Sequence, residues 1–184
     1  SDLLVTVAVC TRDRVADLAV CLKAIGRLRY PHLDLLVVDN APASDATERL
    51  VRERFPAVRY VKEPRPGLDN ARNRAIAECR GEILAFTDDD VVVDPEWVAG
   101  LVDPFAADPE VMAVTGLVVP YELETRAQQL FETYGGFGRG FRRRWFRARP
   151  GRPAALEFGG AGAFGTGANM AYRRDVFRRI GEFD

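Results

Sequence analysis

Cysteine and histidine are scarce in this sequence, with three Cys and one His in 184 residues. Cys10, Cys21 and Cys79 form no CxxC and cannot all pair, which excludes a disulfide framework and points to free thiols in a reducing compartment. Long apolar runs are missing too. LLVTVAVC and DLLVVD stop near eight residues, far short of the roughly 20 that a membrane-spanning helix needs. The opening SDLLVTVAVCTRD lacks the basic region and small-residue cleavage pattern of a secretory signal, so a cytoplasmic location is expected. No GxGxxG follows the first strand-like run, which counts against a dinucleotide dehydrogenase; GGFGRG at 135–140 stands neither after a strand pattern nor before a clear helix. A nucleotidyltransferase would also set carboxylates and metal beside a nucleotide. It would normally carry a glycine- and lysine-rich loop near the first strand, and TRDRVADLAV has neither feature.

Neither charge sign is in excess: 26 Lys+Arg face 27 Asp+Glu, and 47% of residues are hydrophobic. That composition is ordinary for one soluble globular domain and excludes disordered and fibrous classes. A fold of this length buries roughly 70% of its unfolded surface, enough for a self-sufficient core. The balance hides a division. Residues 1–138 carry 15 basic and 23 acidic side chains, residues 139–184 carry 11 and 4. The basic excess comes from GRGFRRRWFRARPGRP, where Arg139, Arg142, Arg143, Arg144, Arg147, Arg149 and Arg152 occur without an acid among them.

Short β-rich apolar runs alternate with helical stripes through the first half, the pattern of a parallel sheet covered on both faces. Strands are expected at 5–10, 33–39, 58–63 and 82–88, and a strand-like MAVTGLVV follows at 112–119. Val15, Leu18, Leu22, Ile25 and Leu28 recur three or four apart, as do Leu68, Ala71, Ala75 and Cys79. Asp45 and Glu48 make a cap-like D-x-x-E, and Asp94-Pro95 sets a cap residue before a proline suited to a first helical turn. Beyond Pro120 a stripe of Leu123, Ala127, Leu130, Phe131 and Tyr134 gives way to a glycine- and arginine-rich stretch at 135–163. AFGTGANMAYRR reads as a loop entering a strand, and RDVFRRIGEFD as a short helix ended by Gly181. Ending in FD, the chain reads as part of a longer protein.

In an open parallel sheet, ligands bind outside the carboxyl ends of the strands where strand order reverses. The polar residues interrupting the apolar runs fall there: Thr11-Arg12-Asp13-Arg14, Asp39-Asn40 and Asp88-Asp89-Asp90. Asp and Asn are also ordinary turn formers, but three consecutive carboxylates raise one another's pKa unless a cation or hydrogen-bond donors offset the repulsion. Hard oxygen ligands without His or Cys favour Mg2+ or Mn2+, which typically bridge one or two carboxylates to substrate phosphates. EPRPGLDNARNRAI places Asn70, Arg72, Asn73 and Arg74 in the first turns of a helix, where free N–H groups and arginine suit a phosphate. The lone His32, in RYPHLD, reads as a surface loop residue.

These segments together resemble the family 2 glycosyltransferases, inverting enzymes of the GT-A fold that transfer a sugar from a nucleotide-sugar donor to an acceptor. The resemblance runs from VAVCTRDR through LLVVDNAPASDAT, PGLDNARNRAI and ILAFTDDDVVVDPEWV to TGANMAYRRDVFRRIGEFD. It implies an α/β, Rossmann-like, mostly parallel sheet with helices on both faces, in one domain over 1–184. Residues 1–119 would form the nucleotide-sugar-binding half, and 120–184 an acceptor-side half. Thr11, Arg12, Asp13 and Asp39 match positions lining the base and ribose, and Arg72 and Asn73 match a segment closing over that side. Asp88 and Asp90 match the outer carboxylates of a DxD motif that binds Mg2+ or Mn2+ against the diphosphate, with Asp89 also beside the donor. Three aspartates in a row let the motif slip by one, so Asp89 and Asp90 both stand as principal ligand. Gly165, Thr166, Gly167 and Asn169 match an acceptor-side loop whose backbone approaches a sugar closely. The family's general base lies in an acidic motif after the segment ending FD, so it is expected beyond Asp184. A UDP-sugar donor and a glycan, lipid-linked or small-molecule acceptor are implied; nucleic acid is not expected. A noncatalytic nucleotide-sugar sensor is the rival. Phe137, Phe141, Trp145 and Phe146 interleave with the arginines of 139–152, a composition compatible with an anionic membrane surface at the inner face of the membrane, a phosphate-bearing acceptor or nucleic acid, the plain alternative being a solvated loop.

Overall fold

The computed structural model describes residues 2–138, 140–147 and 164–184. Its centre is a six-stranded sheet in the order β3-β2-β1-β4-β6-β5. The strands are β1 (Val5–Thr11), β2 (Leu33–Asn40), β3 (Arg59–Glu63), β4 (Ile83–Asp88), β5 (Ala113–Thr115) and β6 (Asn169–Arg173). β1 to β4 pair in parallel, and β6 inserts antiparallel between β4 and β5. Helices α1 (Val15–Ile25), α2 (Ala46–Arg54), α3 (Leu68–Glu78) and α4 (Trp97–Ala107) follow β1 to β4 in turn. Later come α5 (Arg126–Tyr134), a 3-10 turn (Arg174–Val176) and the short α6 (Phe177–Ile180).

Strand alternation sends successive side chains to opposite faces, and both faces are apolar. Val5, Val7 and Val9 of β1, Val37 of β2, and Ile83 and Ala85 of β4 pack with Leu18 and Leu22 of α1, Val51 of α2, and Leu101 and Phe105 of α4. Ala8, Leu36, Val38, Leu84 and Phe86 point the other way, onto Ala71 and Ala75 of α3 and Phe177 of α6. The expected helices on both faces are therefore present. Small Ala71 and Ala75, fully buried, let α3 approach the sheet closely.

Local details depart from the sequence expectations in three places. The strand expected over 112–119 is only Ala113–Thr115. Gly116 donates its N–H to the carbonyl of Asn169, and its Cα lies so close to the Asn169 side chain that a Cβ would collide with it. The chain therefore leaves the sheet at the residue where β6 begins. Asp45 stands at the N-cap of α2 without a side-chain capping bond, and Glu48 instead pairs with Arg52 and Lys62. Asp94 does cap, but over the turn before α4: its Oδ1 accepts from the Glu96 N–H at 2.8 Å, and the helix starts at Trp97. The α6 expectation holds, with Gly181 ending the helix at φ +88°. His32 is exposed.

At the amino ends of the strands a buried polar knot ties the sheet together. The Thr6 hydroxyl donates to Asp34 Oδ2 at 2.8 Å and accepts from the N–H groups of Arg80 and Gly81 at 3.1 and 2.9 Å. Arg59 clamps the same carboxylate with two bonds of 2.8 and 2.7 Å, the bidentate geometry that makes such pairs strong. Burial pushes the Asp34 carboxyl up, but the Arg59 and Thr6 bonds outweigh it and hold it below its ordinary value. Replacing Thr6 by Val keeps the volume and leaves three polar groups short of a partner. Thr6→Val should cost about 2 kcal/mol, lowering Tm by roughly 4–8 °C in calorimetry. An unchanged Tm would show that the knot is not what fastens this edge.

Candidate active site

Strand order reverses between β1 and β4, so the carboxyl ends of these strands open a crevice. Register then fixes what stands there: Thr11 lies beside Asp39, and Cys10 beside Asp88. Three of the residues singled out in the sequence are thus brought to adjacent strand ends by backbone pairing alone.

The three aspartates at the end of β4 have unlike environments. Asp89 is 5% exposed. Its Oδ2 accepts from the Thr11 hydroxyl at 2.7 Å and its Oδ1 from Arg14 at 3.0 Å. Burial raises its pKa, while Thr11 and Arg14 pull it back. The middle carboxylate is therefore occupied in holding the loop. Asp90 is half exposed, and its Oδ2 lies 3.2 Å from both terminal nitrogens of Arg14. The half-buried Asp88 carboxylate makes no hydrogen bond or ion pair among the described residues, while its backbone carbonyl accepts from Cys21 Sγ and the Val91 N–H. Burial pushes its carboxyl upward and the charge of Asp90 adds to that, with Arg72 opposing. These environments favour Asp88 and Asp90, rather than Asp89, as the pair with oxygens to offer a cation.

Among the described residues no three His, Cys, Asp or Glu side chains converge into a ready cation cage. Two carboxylates are nevertheless what Mg2+ or Mn2+ ordinarily takes from a protein when phosphates complete the shell. The repulsion of Asp88 by Asp90, opposed at Asp88 by the charges of Arg72 and Arg14, is what such an ion would relieve. Asp88 and Asp90 thus fit the expected metal.

Asp39 is fully buried; its Oδ2 accepts from the Tyr60 hydroxyl at 2.7 Å, and its Oδ1 has no hydrogen-bond partner. Burial raises its pKa, Tyr60 lowers it, and Asp13 raises it again. Asp13 sits in the left-handed region at φ 55° and accepts from the Ala43 N–H at 2.9 Å, joining the β1 loop to the β2 loop. Arg12 is exposed beside it. Asn40 fastens the neighbouring turn, donating to the Arg65 carbonyl at 2.7 Å and accepting from the Gly67 N–H at 2.9 Å.

Across the crevice, Arg72 lies with its guanidinium 5.4 Å from the centre of the Phe183 ring. Its charge is felt at both Asp88 and Cys10; burial pushes the Cys10 thiol up to about 12, so it is an inert neutral group. Gly167 passes so close to the Arg72 guanidinium that a Cβ there would collide with it. Asn73, expected on the donor side, instead spends its amide on the backbone of Phe183, donating at 2.7 Å and accepting at 2.8 Å. Asn169 is likewise structural: it accepts from the Trp97 indole at 2.8 Å and donates to the Leu117 carbonyl at 2.9 Å. Gly165, at φ +123°, packs on Thr115, whose hydroxyl bonds the Phe164 carbonyl. Among the described residues the buried Thr166 hydroxyl has no hydrogen-bond partner. Arg139, Arg149 and Arg152 lie outside the described residues.

Arg14 is the residue that the sequence reading underweighted. It stands at the N-cap of α1, bonds Asp17 at 3.1 Å, and reaches both Asp89 and Asp90. The available signal was the opposition of one basic residue after β1 to an acidic run after its parallel neighbour.

A sequence profile described as Glycosyl transferase family 2 matches residues 6–181. A glucosyl-dolichyl phosphate glucuronosyltransferase of Haloferax volcanii is 24% identical over 98% of this chain and 56% of its own. A mannosyltransferase of Pyrobaculum calidifontis, solved with GDP-Man and Mn2+, superposes with a TM-score of 0.70 at 25% identity, over 100% of this chain and 48% of that one. Glucosyl-3-phosphoglycerate synthase of Mycobacterium tuberculosis, solved with UDP, shares the fold at a TM-score of 0.63 and 20% identity, over 97% of this chain and 67% of that one. The chain thus spans about half the length of the first two.

Two substitutions separate the roles of the acidic run. Asp88→Asn keeps the shape and removes the repulsion, so Tm of the ligand-free protein should rise, by roughly 2–4 °C for about 1 kcal/mol. Because the folded pKa of Asp88 is raised, its ionisation costs stability at neutral pH, and that cost fades as pH falls through the raised value. The advantage of Asp88→Asn should therefore shrink as pH is lowered through that raised value. Arg14→Ala should act oppositely, losing about 1–2 kcal/mol, less than a fully buried pair because Arg14 is half exposed. Thermal scans showing the reverse order would contradict this division.

Proposed function

Since the chain belongs to glycosyl transferase family 2, we propose that it is the donor-binding part of an enzyme moving a sugar from a UDP-sugar to an acceptor hydroxyl with inversion. What supports this is the buried Asp39, whose Oδ1 lacks a partner while backbone register sets it beside Thr11 and one strand away from the β1–β4 switch point. A buried acceptor left unpaired costs about 1–3 kcal/mol, and a donor N–H or O–H of a base or ribose would recover it. Thr11, Arg12 and Asp13 are assigned to the same end of the nucleotide. Arg72 is assigned to the diphosphate side, where a planar guanidinium suits phosphate oxygens.

Asp88 and Asp90 would hold Mg2+ or Mn2+ there. Such an ion, when bound, acts as a Lewis acid on the leaving diphosphate. The chain's own groups orient the donor and shield the leaving nucleotide from water. Asp89 holds the loop through Thr11 and Arg14, a positioning role. Thr166 is the acceptor-side residue with a free hydroxyl, and Gly165 and Gly167 bring the backbone near. A lipid-linked sugar is the acceptor class proposed, following the Haloferax relative named for a glucosyl-dolichyl phosphate.

Calorimetry with UDP and GDP tests the nucleotide. UDP should bind with a Kd on the order of 1 μM to 1 mM, more tightly than GDP. Asp39→Asn should weaken UDP by about tenfold or more, which is ~1.4 kcal/mol, with little change in Tm. GDP preferred over UDP would overturn the nucleotide assignment, and unchanged affinity in Asp39→Asn would overturn the role of Asp39. UDP-sugar consumption by the full-length protein separates a transferase from a sensor, which binds without consuming.

A further inference from the structure

Away from the crevice, α5 is a helix with no buried residue. Its N-terminus is closed by a capping box: the Thr125 hydroxyl accepts from the Gln128 N–H at 3.2 Å, and the Gln128 side chain accepts from the Thr125 N–H at 2.7 Å. Leu130, Phe131 and Tyr134 line one stripe, exposed by 41%, 49% and 83%. A closed helix whose apolar stripe faces water is a helix built to be covered.

The stripe continues into residues 140–147. Phe137 meets Phe131 at a tilt of 59° with ring centres 5.3 Å apart, and the chain then runs through Phe141, Arg142, Arg143, Arg144, Trp145, Phe146 and Arg147. All seven are exposed, Phe141 by 93% and Trp145 by 55%. Phe146 meets Phe164 at 4.5 Å, so the basic segment adjoins the loop that leads to Thr166. We propose that this continuous face, the α5 stripe with residues 140–147, docks on an anionic lipid bilayer surface.

Three features select a bilayer over a protein partner. Aromatic rings beside guanidinium groups match a headgroup layer, where rings settle at the polar–apolar boundary and arginines meet phosphates. No acid lies within 140–147, and among the described residues that segment makes one ion pair, a long 3.8 Å contact between Arg147 and Asp108. The charge asymmetry of the chain, acidic through 138 and basic after it, turns the basic face toward a negative surface on approach. This inference rests on the surface alone and holds whichever nucleotide the crevice takes.

Flotation with vesicles of phosphatidylglycerol in phosphatidylcholine tests it, with no donor present. The 184-residue chain should float with these vesicles at low salt, stay behind with pure phosphatidylcholine, and release as salt shortens the Debye length from about 30 Å at 0.01 M toward 8 Å. Each arginine at such a surface strengthens binding about fivefold, so the R142E/R143E/R144E variant should lose on the order of 100-fold or more. Trp145 supplies a local readout: its emission should shift to the blue on binding, and Trp145→Phe should abolish the shift while leaving flotation. Failure to float at low salt overturns the proposal. Equal flotation of the triple variant, or a blue shift that survives Trp145→Phe, shows that another surface is responsible and overturns it too. Concentration-dependent dimerisation lost in Phe131→Ser, without vesicle binding, would assign the face to a second copy of the chain instead.

Discussion

Three consecutive carboxylates at the end of a buried strand repel one another, and the crevice is organised around offsetting that charge. Asp89 is met from below by the Thr11 hydroxyl and from the side by Arg14. Asp90 shares the same arginine, while Asp88 keeps its charge largely uncompensated, opposed by Arg72 at longer range. The protein thus satisfies the middle residue of the run and leaves the outer pair under electrostatic tension. Such tension costs stability, and in the function proposed above a cation and the phosphates it bridges would relieve it.

Everything else at the crevice follows from where the backbone puts these groups. Parallel pairing of β1 with β2 and β4 aligns Asp39, Thr11 and Asp88 without any side-chain contact being needed. The antiparallel β6 then brings the chain's last third back against β4, and Asn169 locks it by bonding Trp97 of α4 and the carbonyl of Leu117. Asn73 fastens Phe183 from α3, which seats the Phe183 ring under the Arg72 guanidinium. Residues that are polar and near a site are here mostly the fittings that hold it. The Thr6, Asp34 and Arg59 knot does the corresponding work at the opposite edge of the sheet.

Much of this was legible in the sequence, because the first four strands and their helices obey local periodicity. Val5, Val7 and Val9 alternate with Thr6 and Ala8, and the acids after Thr87 stop a run that is otherwise wholly buried. The strand-end rule then located the crevice. What local pattern could not convey is pairing between distant segments. The early end of β5 depends on Asn169, 53 positions after Gly116, and the occupation of Asn73 depends on Phe183. Asp89 and Asp90 look alike in sequence and differ only because Thr11 and Arg14 approach one and Arg14 with solvent the other. The FGTGANM loop shows the same limit, since the closeness of Gly167 to the Arg72 guanidinium joins residues 95 positions apart.

The central claim is that Asp88 and Asp90 form a cation-dependent seat for a nucleoside diphosphate at the β1–β4 switch point. Isothermal titration of UDP into the protein in Mn2+ and in EDTA, repeated with Asp90→Ala, tests it most directly. The account predicts at least tenfold tighter binding in Mn2+, about 1.4 kcal/mol or more, and loss of that difference in the variant. Equal affinity in the two buffers, or a metal effect that survives Asp90→Ala, would contradict it.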